Sequence, residues 1–347
     1  MFIGGDAPIS IQSMTNTVTH DVEKTLSQVR ALEEAGCDVV RLAVPDLESA
    51  ATFRALKAEG VSVPLVADIH FDYKIALAAI EAGADKIRIN PGNIGGKEKI
   101  RAVVDACRER ELPIRIGVNS GSLERHILEK HGAPTAEALA ESALYHAALL
   151  EELDFHDIAV SVKASDTKAM IDANRILAEK TDLPLHLGVT EAGFGNRALI
   201  KSSVGIGSLL SLGIGDTVRV SLTDDPCEEV LAAREILSSL GVLAARGMDI
   251  VSCPTCGRTR IDLIPLVREF ERRAKEEGLL SLDIKVALMG CAVNGPGEAR
   301  EADVGIAGGV GEGLLFRRGD IIRKIKEDAL VDELIREIKL IKEAKGI

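Results

Sequence analysis

The sequence predicts a (β/α)8 TIM barrel followed by a smaller α+β domain, and three observations carry that expectation. From the start to about residue 245, short β-branched runs alternate eight times with Ala/Leu/Glu/Lys-rich stretches of helical periodicity. Several of the helical stretches close on Gly just before the next run, as in Glu34-Ala35-Gly36 and Glu81-Ala82-Gly83, which is how helices are capped ahead of a strand. From Asp249 onward the style changes, with Cys, Gly and Pro gathered in loops and a highly charged tail at the end. A doubly wound open sheet is the other architecture that such alternation can build. Eight strands of similar spacing before a change of character favour the closed barrel. We place the barrel domain over 1–246 and the smaller domain over 247–347.

Taken in order, the barrel strands are expected at Ile9–Ser13, Val39–Val44, Leu65–Ile69, Lys86–Asn90, Ile114–Val118, Ile158–Val162, Leu185–Val189 and Val218–Leu222. Between them lie amphipathic segments such as Asp21–Ala35, Leu47–Glu59, Tyr73–Ala82 and Thr135–Leu150, and the helix Cys227–Ala245 closes the domain. Gly247 is a candidate hinge. Next come a strand at Ile250–Val251, a Cys loop, a helix over Ile261–Glu277 and a strand at Ile284–Met289. A second loop, strands Val304–Ala307 and Gly313–Arg317, and a helical tail over Ile321–Lys345 complete the chain.

Composition bounds the function. Hydrophobic residues make up 46% of the 347, ample for a large core, but with seven Phe, two Tyr and no Trp that core is aliphatic. A net charge of −12 argues against non-specific binding to nucleic acid or anionic membrane, which attract basic surfaces. No apolar run is long enough to cross a bilayer, and Met1-Phe-Ile-Gly-Gly-Asp6 lacks the regions of a signal peptide, so a soluble cytoplasmic protein is expected. Of six cysteines, Cys37, Cys107 and Cys227 are isolated and read as small buried hydrophobes.

In a barrel all strand C-termini open onto one face, where active sites sit. Here that face collects Arg41, Asp68, His70, Arg88, Asn90, Arg115, Asn119, Lys163, Glu191, Arg219 and Ser221. Each charged residue alone is as well explained by an interior ion pair or a solvated rim. As a set, Arg41, Arg88, Arg115 and Lys163 put cations on four strands of an acidic protein, and buried cations need anionic partners. A phosphorylated or diphosphorylated substrate would supply them.

Cys253-Pro-Thr-Cys256 and Gly290-Cys291-Ala-Val-Asn294-Gly-Pro-Gly-Glu298 set three thiols and a carboxylate at C-x2-C-x34-C-x6-E spacing. In a reducing compartment such a group binds metal more often than it forms disulfides. A structural zinc site would want two further Cys or His ligands, and this domain has one more cysteine and no histidine beyond His186. An iron–sulfur cluster fits better: it prefers thiolates, tolerates an odd ligand and sits in Gly- and Pro-rich loops. Glu298 as a hard oxygen ligand could then leave when substrate arrives. Two competing readings stay open. One is another barrel enzyme, such as a pterin-binding synthase or methyltransferase, with zinc in the small domain. The other is a non-catalytic electron-transfer or scaffold protein.

Ile11-Gln-Ser-Met-Thr-Asn16, Ile89-Asn-Pro-Gly-Asn93, Ile116-Gly-Val-Asn-Ser-Gly121, Leu187-Gly-Val-Thr-Glu-Ala-Gly193, Ser252-Cys-Pro-Thr-Cys-Gly-Arg-Thr259 and the Gly290–Glu298 loop together resemble the bacterial 4-hydroxy-3-methylbut-2-enyl diphosphate synthases. The resemblance runs over nearly the whole chain, without the large middle insertion of plant members. The start falls a little short of the usual one, so an N-terminal strand leading into the barrel is expected to be incomplete.

The resemblance implies reductive ring opening of 2-C-methyl-erythritol 2,4-cyclodiphosphate in the non-mevalonate isoprenoid pathway, with loss of water. Electrons would pass singly through a [4Fe-4S] cluster from reduced flavodoxin or ferredoxin. By motif, Cys253, Cys256, Cys291 and Glu298 are its ligands. Arg41, Arg88, Arg115 and Lys163 resemble a diphosphate clamp, with Asn90, Asn119 and Ser221 orienting the substrate. Glu191 would protonate the departing hydroxyl, Asp68 would support the mouth, and Asn294 would hydrogen-bond the substrate or the labile ligand. The family resemblance also implies a head-to-tail homodimer, in which the cluster domain closes over a barrel mouth by a hinge near Gly247.

Overall fold

Eight parallel strands form the first unit: β1 (Ser10–Met14), β2 (Val39–Ala43), β3 (Leu65–Asp68), β4 (Lys86–Ile89), β5 (Ile114–Asn119), β6 (Ile158–Lys163), β7 (His186–Leu187) and β8 (Thr217–Val218). They pair in the order β6-β5-β4-β3-β2-β1-β8-β7. The ring closes between β6 and β7 through the bridge of Val160 with Leu185 and the Val160 N–H donating to the Pro184 carbonyl at 2.8 Å. The computed structural model describes residues 1–244, 247–291 and 299–345. The chain divides into two units, Met1–Leu243 and Ala244–Ile347.

Ten helices are described around the strands. They are α1 (Val22–Ala35), α2 (Leu47–Ala58), α3 (Tyr73–Ala82), α4 (Pro91–Ile94), α5 (Lys97–Glu109), α6 (Arg125–His131), α7 (Ala136–Glu151), α8 (Thr167–Lys180), α9 (Gly195–Leu210) and α10 (Pro226–Ser239). Local chemistry fixes where they start. Asp21, Asp46, Asp72, Thr135, Asp166 and Asp225 each accept a backbone N–H of the first turn, satisfying a donor the helix cannot satisfy itself. The short α4 and α6 were not expected from periodicity, and both lie in loops at the strand C-termini.

β7 and β8 are shorter than expected. Gly188 explains part of this, because a Cβ there would stand 2.5 Å from the Arg219 carbonyl oxygen. The two backbones crowd together just past the ladder, and pairing survives as the Arg219 N–H donating to Leu187 at 2.9 Å.

The second unit has a five-stranded sheet in the order β13-β12-β11-β10-β9. β9 (Asp249–Ser252), β10 (Lys285–Met289) and β11 (Val304–Gly308) are parallel, and β12 (Glu312–Arg317) and β13 (Asp320–Lys326) are antiparallel. Helices α11 (Leu263–Glu276) and α12 (Leu330–Lys345) cover one face. Phe270, Leu334 and Ile338 there pack with Val286, Leu288 and Ile306 of the sheet.

Two expectations need correction here. Ile321–Lys326 is strand rather than helix. Arg318 (φ 49°) and Gly319 (φ 88°) make the left-handed turn that suits a two-residue hairpin, and the β-branched run after it pairs back onto β12. Gly247, expected as a hinge, is a packing glycine: its φ is +86°, and a Cβ would stand 2.2 Å from the Leu280 carbonyl oxygen.

Candidate functional site

Strand period places the site residues. In β5, Ile114, Ile116 and Val118 join the aliphatic core, so Arg115, Gly117 and Asn119 point to the other face, into the barrel. β4 contributes Arg88 beside Arg115, and β3 contributes Asp68 beside Arg88. Glycine makes room for these long side chains. A Cβ on Gly117 would stand 2.3 Å from Arg88 Nε, and one on Gly188 would stand 3.0 Å from Lys163 Nζ.

Two carboxylates organise the mouth. Asp68 Oδ1 accepts from Arg88 Nη1 at 3.0 Å, and its Oδ2 lies 3.7 Å from Arg41 Nε. Glu229, from α10, accepts from Arg219 Nε and Nη2 at 3.3 Å each, from Ser13 Oγ at 2.9 Å and from the Leu222 N–H at 3.1 Å. Against these stand five cations: Arg41, Arg88, Arg115, Lys163 and Arg219. In the described part of the mouth five basic side chains thus face two carboxylates.

Burial makes that excess costly. Desolvation, with Arg219, Arg41 and Arg115 close by, pushes the Lys163 ammonium well below its ordinary range. Desolvation also pushes Arg41 down to about 10, partly opposed by Asp68. For Asp68 itself burial acts upward, but Arg41 and Arg88 outweigh it and hold the carboxyl below its usual range. Donors are left over as well. Arg115 Nη1 donates to Gln12 Oε1 at 3.1 Å, while Arg115 Nε and Nη2, Gln12 Nε2 and Asn90 Nδ2 are buried without a partner among the described residues. Excess charge and orphaned donors ask for the same thing, a ligand rich in anionic oxygens.

A cavity of about 120 Å³ opens among these groups, lined by Arg41, Asp68, His70, Arg88, Asn119, Ser161, Lys163, Thr190, Arg219 and Ser221. A second, of about 60 Å³, shares His70, Arg88 and Asn119 and adds Ile69, Asn90, Asn93 and Gly117. Arg41, Asp68, Arg88, Asn90, Asn119, Lys163 and Ser221 are thus brought together. Arg115 is buried beside them without lining either cavity. Glu191 is exposed in the loop after β7, in a left-handed conformation (φ 51°), and lines neither cavity. A larger cavity, about 410 Å³, lies at the opposite end of the barrel among Val66, Pro113, Ile158 and Lys86. The strand C-termini face away from it, which argues against chemistry there.

Sequence reasoning gave no role to Gln12, Ser161, Thr190, Arg219 or Glu229. Arg219 and His70 carried the same strand-end signal as the residues chosen. Glu229 carried none, since an acidic residue in the first turn of a helix is ordinary.

In the second unit, parallel β9 and β10 deliver Cys253 and Cys291 to the same sheet edge. The Gly290 N–H donates to Cys253 Sγ at 3.1 Å, and the Arg260 N–H donates to the Gly290 carbonyl at 2.9 Å. Cys256 sits in the turn between them, its N–H on Thr259 Oγ1 at 3.0 Å. The Arg258 backbone N–H, then its side chain, lower the Cys256 thiol below its ordinary range. Thiolate character, an N–H donor on sulfur and one shared edge suit an iron–sulfur group. Among the described residues no three metal-ligating side chains are gathered tightly enough to hold a metal ion. A zinc ion would draw its sulfurs to roughly 3.8 Å from one another, given bonds of about 2.3 Å. A cluster spreads its ligands over a larger body. Asn294 and Glu298 lie outside the described residues.

Fold and site define a (β/α)8 barrel enzyme of multiply charged anions, carried on one chain with a thiol-bearing α+β unit. The chain belongs to the GcpE family: the GcpE TIM-barrel domain matches residues 1–234, and the GcpE protein C-terminal domain matches residues 249–340. It is 58% identical over 341 residues to the 4-hydroxy-3-methylbut-2-en-1-yl diphosphate synthase (flavodoxin) of Clostridium perfringens, covering 98% of this chain and 96% of that one. The enzyme of the same name from Halalkalibacterium halodurans is 57% identical, over 98% of this chain and 92% of that one. Among solved structures, the dihydropteroate synthase of Yersinia pestis matches at a TM-score of 0.49 and 14% identity, covering 68% of this chain and 94% of that one. No described helix is long and apolar enough to cross a membrane.

Proposed function

We propose that this chain is a 4-hydroxy-3-methylbut-2-enyl diphosphate synthase. It opens 2-C-methyl-D-erythritol 2,4-cyclodiphosphate reductively and dehydrates it, the penultimate step of the non-mevalonate isoprenoid pathway. One carbon–oxygen bond to the ring diphosphate breaks, one hydroxyl leaves as water and a double bond forms. Two electrons and two protons are consumed. The observation that carries the reading is the under-neutralised barrel mouth, where five basic side chains meet two carboxylates and buried donors lack partners among the described residues. The family membership supports it.

In this reading Arg41, Arg88, Arg115 and Lys163 bind the diphosphate, and Arg219 joins them. Substrate oxygens take up the free donors of Arg115 and Asn90, and the anion restores the Lys163 charge that burial opposes. Asn119 and Ser221 orient the carbon skeleton. Asp68 holds Arg41 and Arg88 in place, so the clamp costs little to organise when substrate enters. Glu191 is the candidate proton donor to the leaving hydroxyl. Its left-handed backbone is the sort of local cost that persists at functional positions.

Cys253, Cys256 and Cys291, with Glu298 as fourth ligand, would hold a [4Fe-4S] cluster, which when bound supplies single electrons. Asn294 would stand beside it. Reduced flavodoxin is the proposed donor, with ferredoxin the alternative, and a head-to-tail homodimer is the proposed assembly.

Anaerobic reconstitution tests the whole. About four irons and four sulfides per chain are expected, with turnover of the cyclodiphosphate under reduced flavodoxin. Stoichiometric zinc, or a reconstituted protein inert toward the cyclodiphosphate, would overturn the reading.

A further inference from the structure

Behind the two small cavities lies a buried polar network that the clamp does not use. Glu124 stands at the N-terminus of α6, five residues beyond Asn119. Its Oε2 accepts from Ser142 Oγ at 2.6 Å, and its Oε1 hydrogen-bonds Nε2 of His146, which has no exposed surface. Ser142 and His146 sit one turn apart on α7. His146 Nδ1 is buried without a partner. The arrangement puts a ring proton on Nε2, where the carboxylate accepts it. Burial raises the Glu124 carboxyl, but the His146 and Ser142 bonds outweigh it and keep the group below its usual range.

This network presses on the loop after β4. A Cβ on Gly92 would stand 3.0 Å from His146 Cε1, 3.2 Å from Glu124 Oε1 and 3.3 Å from Asn90 Oδ1. Asn90 Oδ1 accepts the Gly92 N–H at 3.0 Å, so its carbonyl side is committed to the turn while Nδ2 stays buried and unpartnered on the cavity wall. Glu124 thus ties the segment after β5 to α7, and the His146 ring and the Glu124 carboxylate together close the space beside Gly92 in the turn that begins at Asn90. Neither Glu124 nor His146 lines either cavity.

We propose that Glu124, Ser142 and His146 are positioning residues for the cyclodiphosphate, locking the Asn90–Gly92 turn against the β5 loop so that Asn90 Nδ2 is aimed at a substrate oxygen. The proposal rests on the reading of the mouth as the cyclodiphosphate site. Misplacing a substrate-facing group by about 1 Å can cost roughly 100-fold in rate, so loosening this turn should be felt in binding and turnover.

The experiment is calorimetric titration of the full chain with the cyclodiphosphate, with melting temperature measured alongside. His146→Leu should weaken binding by roughly tenfold or more. His146→Gln, which can donate from near the same place, should recover most of that loss. Gly92→Ala should weaken binding too, because its methyl pushes the turn off the imidazole. The double variant Gly92→Ala with His146→Ala should lose less than the sum of the two single losses, since the methyl then occupies space the ring has vacated. Unchanged affinity in His146→Leu, or strictly additive losses in Gly92→Ala with His146→Ala, overturns the proposal and leaves the network a stabiliser only. If His146→Leu does not fold, Gly92→Ala alone decides, with wild-type affinity counting against the proposal. A wild-type chain that fails to bind the cyclodiphosphate would instead remove the underlying reading of the mouth.

Discussion

The barrel mouth and the Cys edge are built in opposite ways. In the mouth the strands and two packing glycines make room for Arg88 and Lys163, Asp68 holds Arg88 and Glu229 holds Arg219, and the cost appears as an excess of basic groups and idle donors. At the Cys edge the ligands sit in loops. Cys256 is exposed, Cys253 is half-buried, and no tight group of metal-ligating side chains has formed among the described residues. The first region is preorganised by packing, as suits electrostatic binding. The second presents candidate thiol ligands from loops, as suits a proposed site whose final geometry a metal would complete. The lesson is that preorganisation is bought where the protein must stabilise charge, and left to the cofactor where the cofactor can supply it.

The sharpest way to break this contrast is to remove one thiol. Cys291→Ser should bring iron content after anaerobic reconstitution to background and abolish turnover, while cyclodiphosphate affinity in the barrel stays near wild type. A parallel loss of affinity would show that the two sites are not independent. Next in size is Arg88→Ala, which leaves the buried Asp68 with only its longer contact to Arg41. Removing the charge-assisted hydrogen bonds that Arg88 would make to the anion costs on the order of 3 kcal/mol, so affinity should fall roughly 100-fold with iron content unchanged. Affinity within a factor of about two of wild type would remove Arg88 from the clamp.

Gly117→Ala asks whether packing really sets the mouth. The added methyl cannot coexist with Arg88 in its present place, and a shift of that guanidinium should cost roughly tenfold in affinity, about 1.4 kcal/mol. A variant that binds normally would mean that Arg88 is free to relocate.

The smallest effect is a proton. Because burial lowers Lys163, folding of the free chain favours the neutral amine, and this group's contribution to stability rises with pH from its folded value to its unfolded value. An anionic ligand favours the charged form, so binding should take up a fraction of a proton and weaken as pH rises through the depressed range. Calorimetry at pH 8 in two buffers of different ionisation enthalpy reads this directly. Identical heats in both would show that Lys163 keeps its charge throughout.

What the sequence determined by itself was periodic or covalently spaced. Eight β/α alternations gave the barrel, Gly at the ends of helices gave some of the boundaries, and the Cys spacing pointed to a candidate metal site. The polar residues ending β2 to β6 could be placed on one face because strand direction in a barrel is fixed. Where a local signal competed, the reading failed: Arg318-Gly319 is a hairpin turn just before the expected helical tail, whose first residues pair back as a strand.

Tertiary structure alone decided the partnerships. Glu229 reaches Arg219 and Ser13 from a helix whose acidic first turn looked ordinary, across a separation in sequence of more than two hundred residues in the case of Ser13. Gly117 and Gly188 were given no role by the sequence reading and leave the space that Arg88 and Lys163 occupy. Glu124 and His146 gave no sign of meeting under Gly92. The physical reason is common to all of them. Periodicity depends on neighbours a few positions apart, whereas charge balance, clearance and orphaned donors depend on which distant side chains come to share a buried volume.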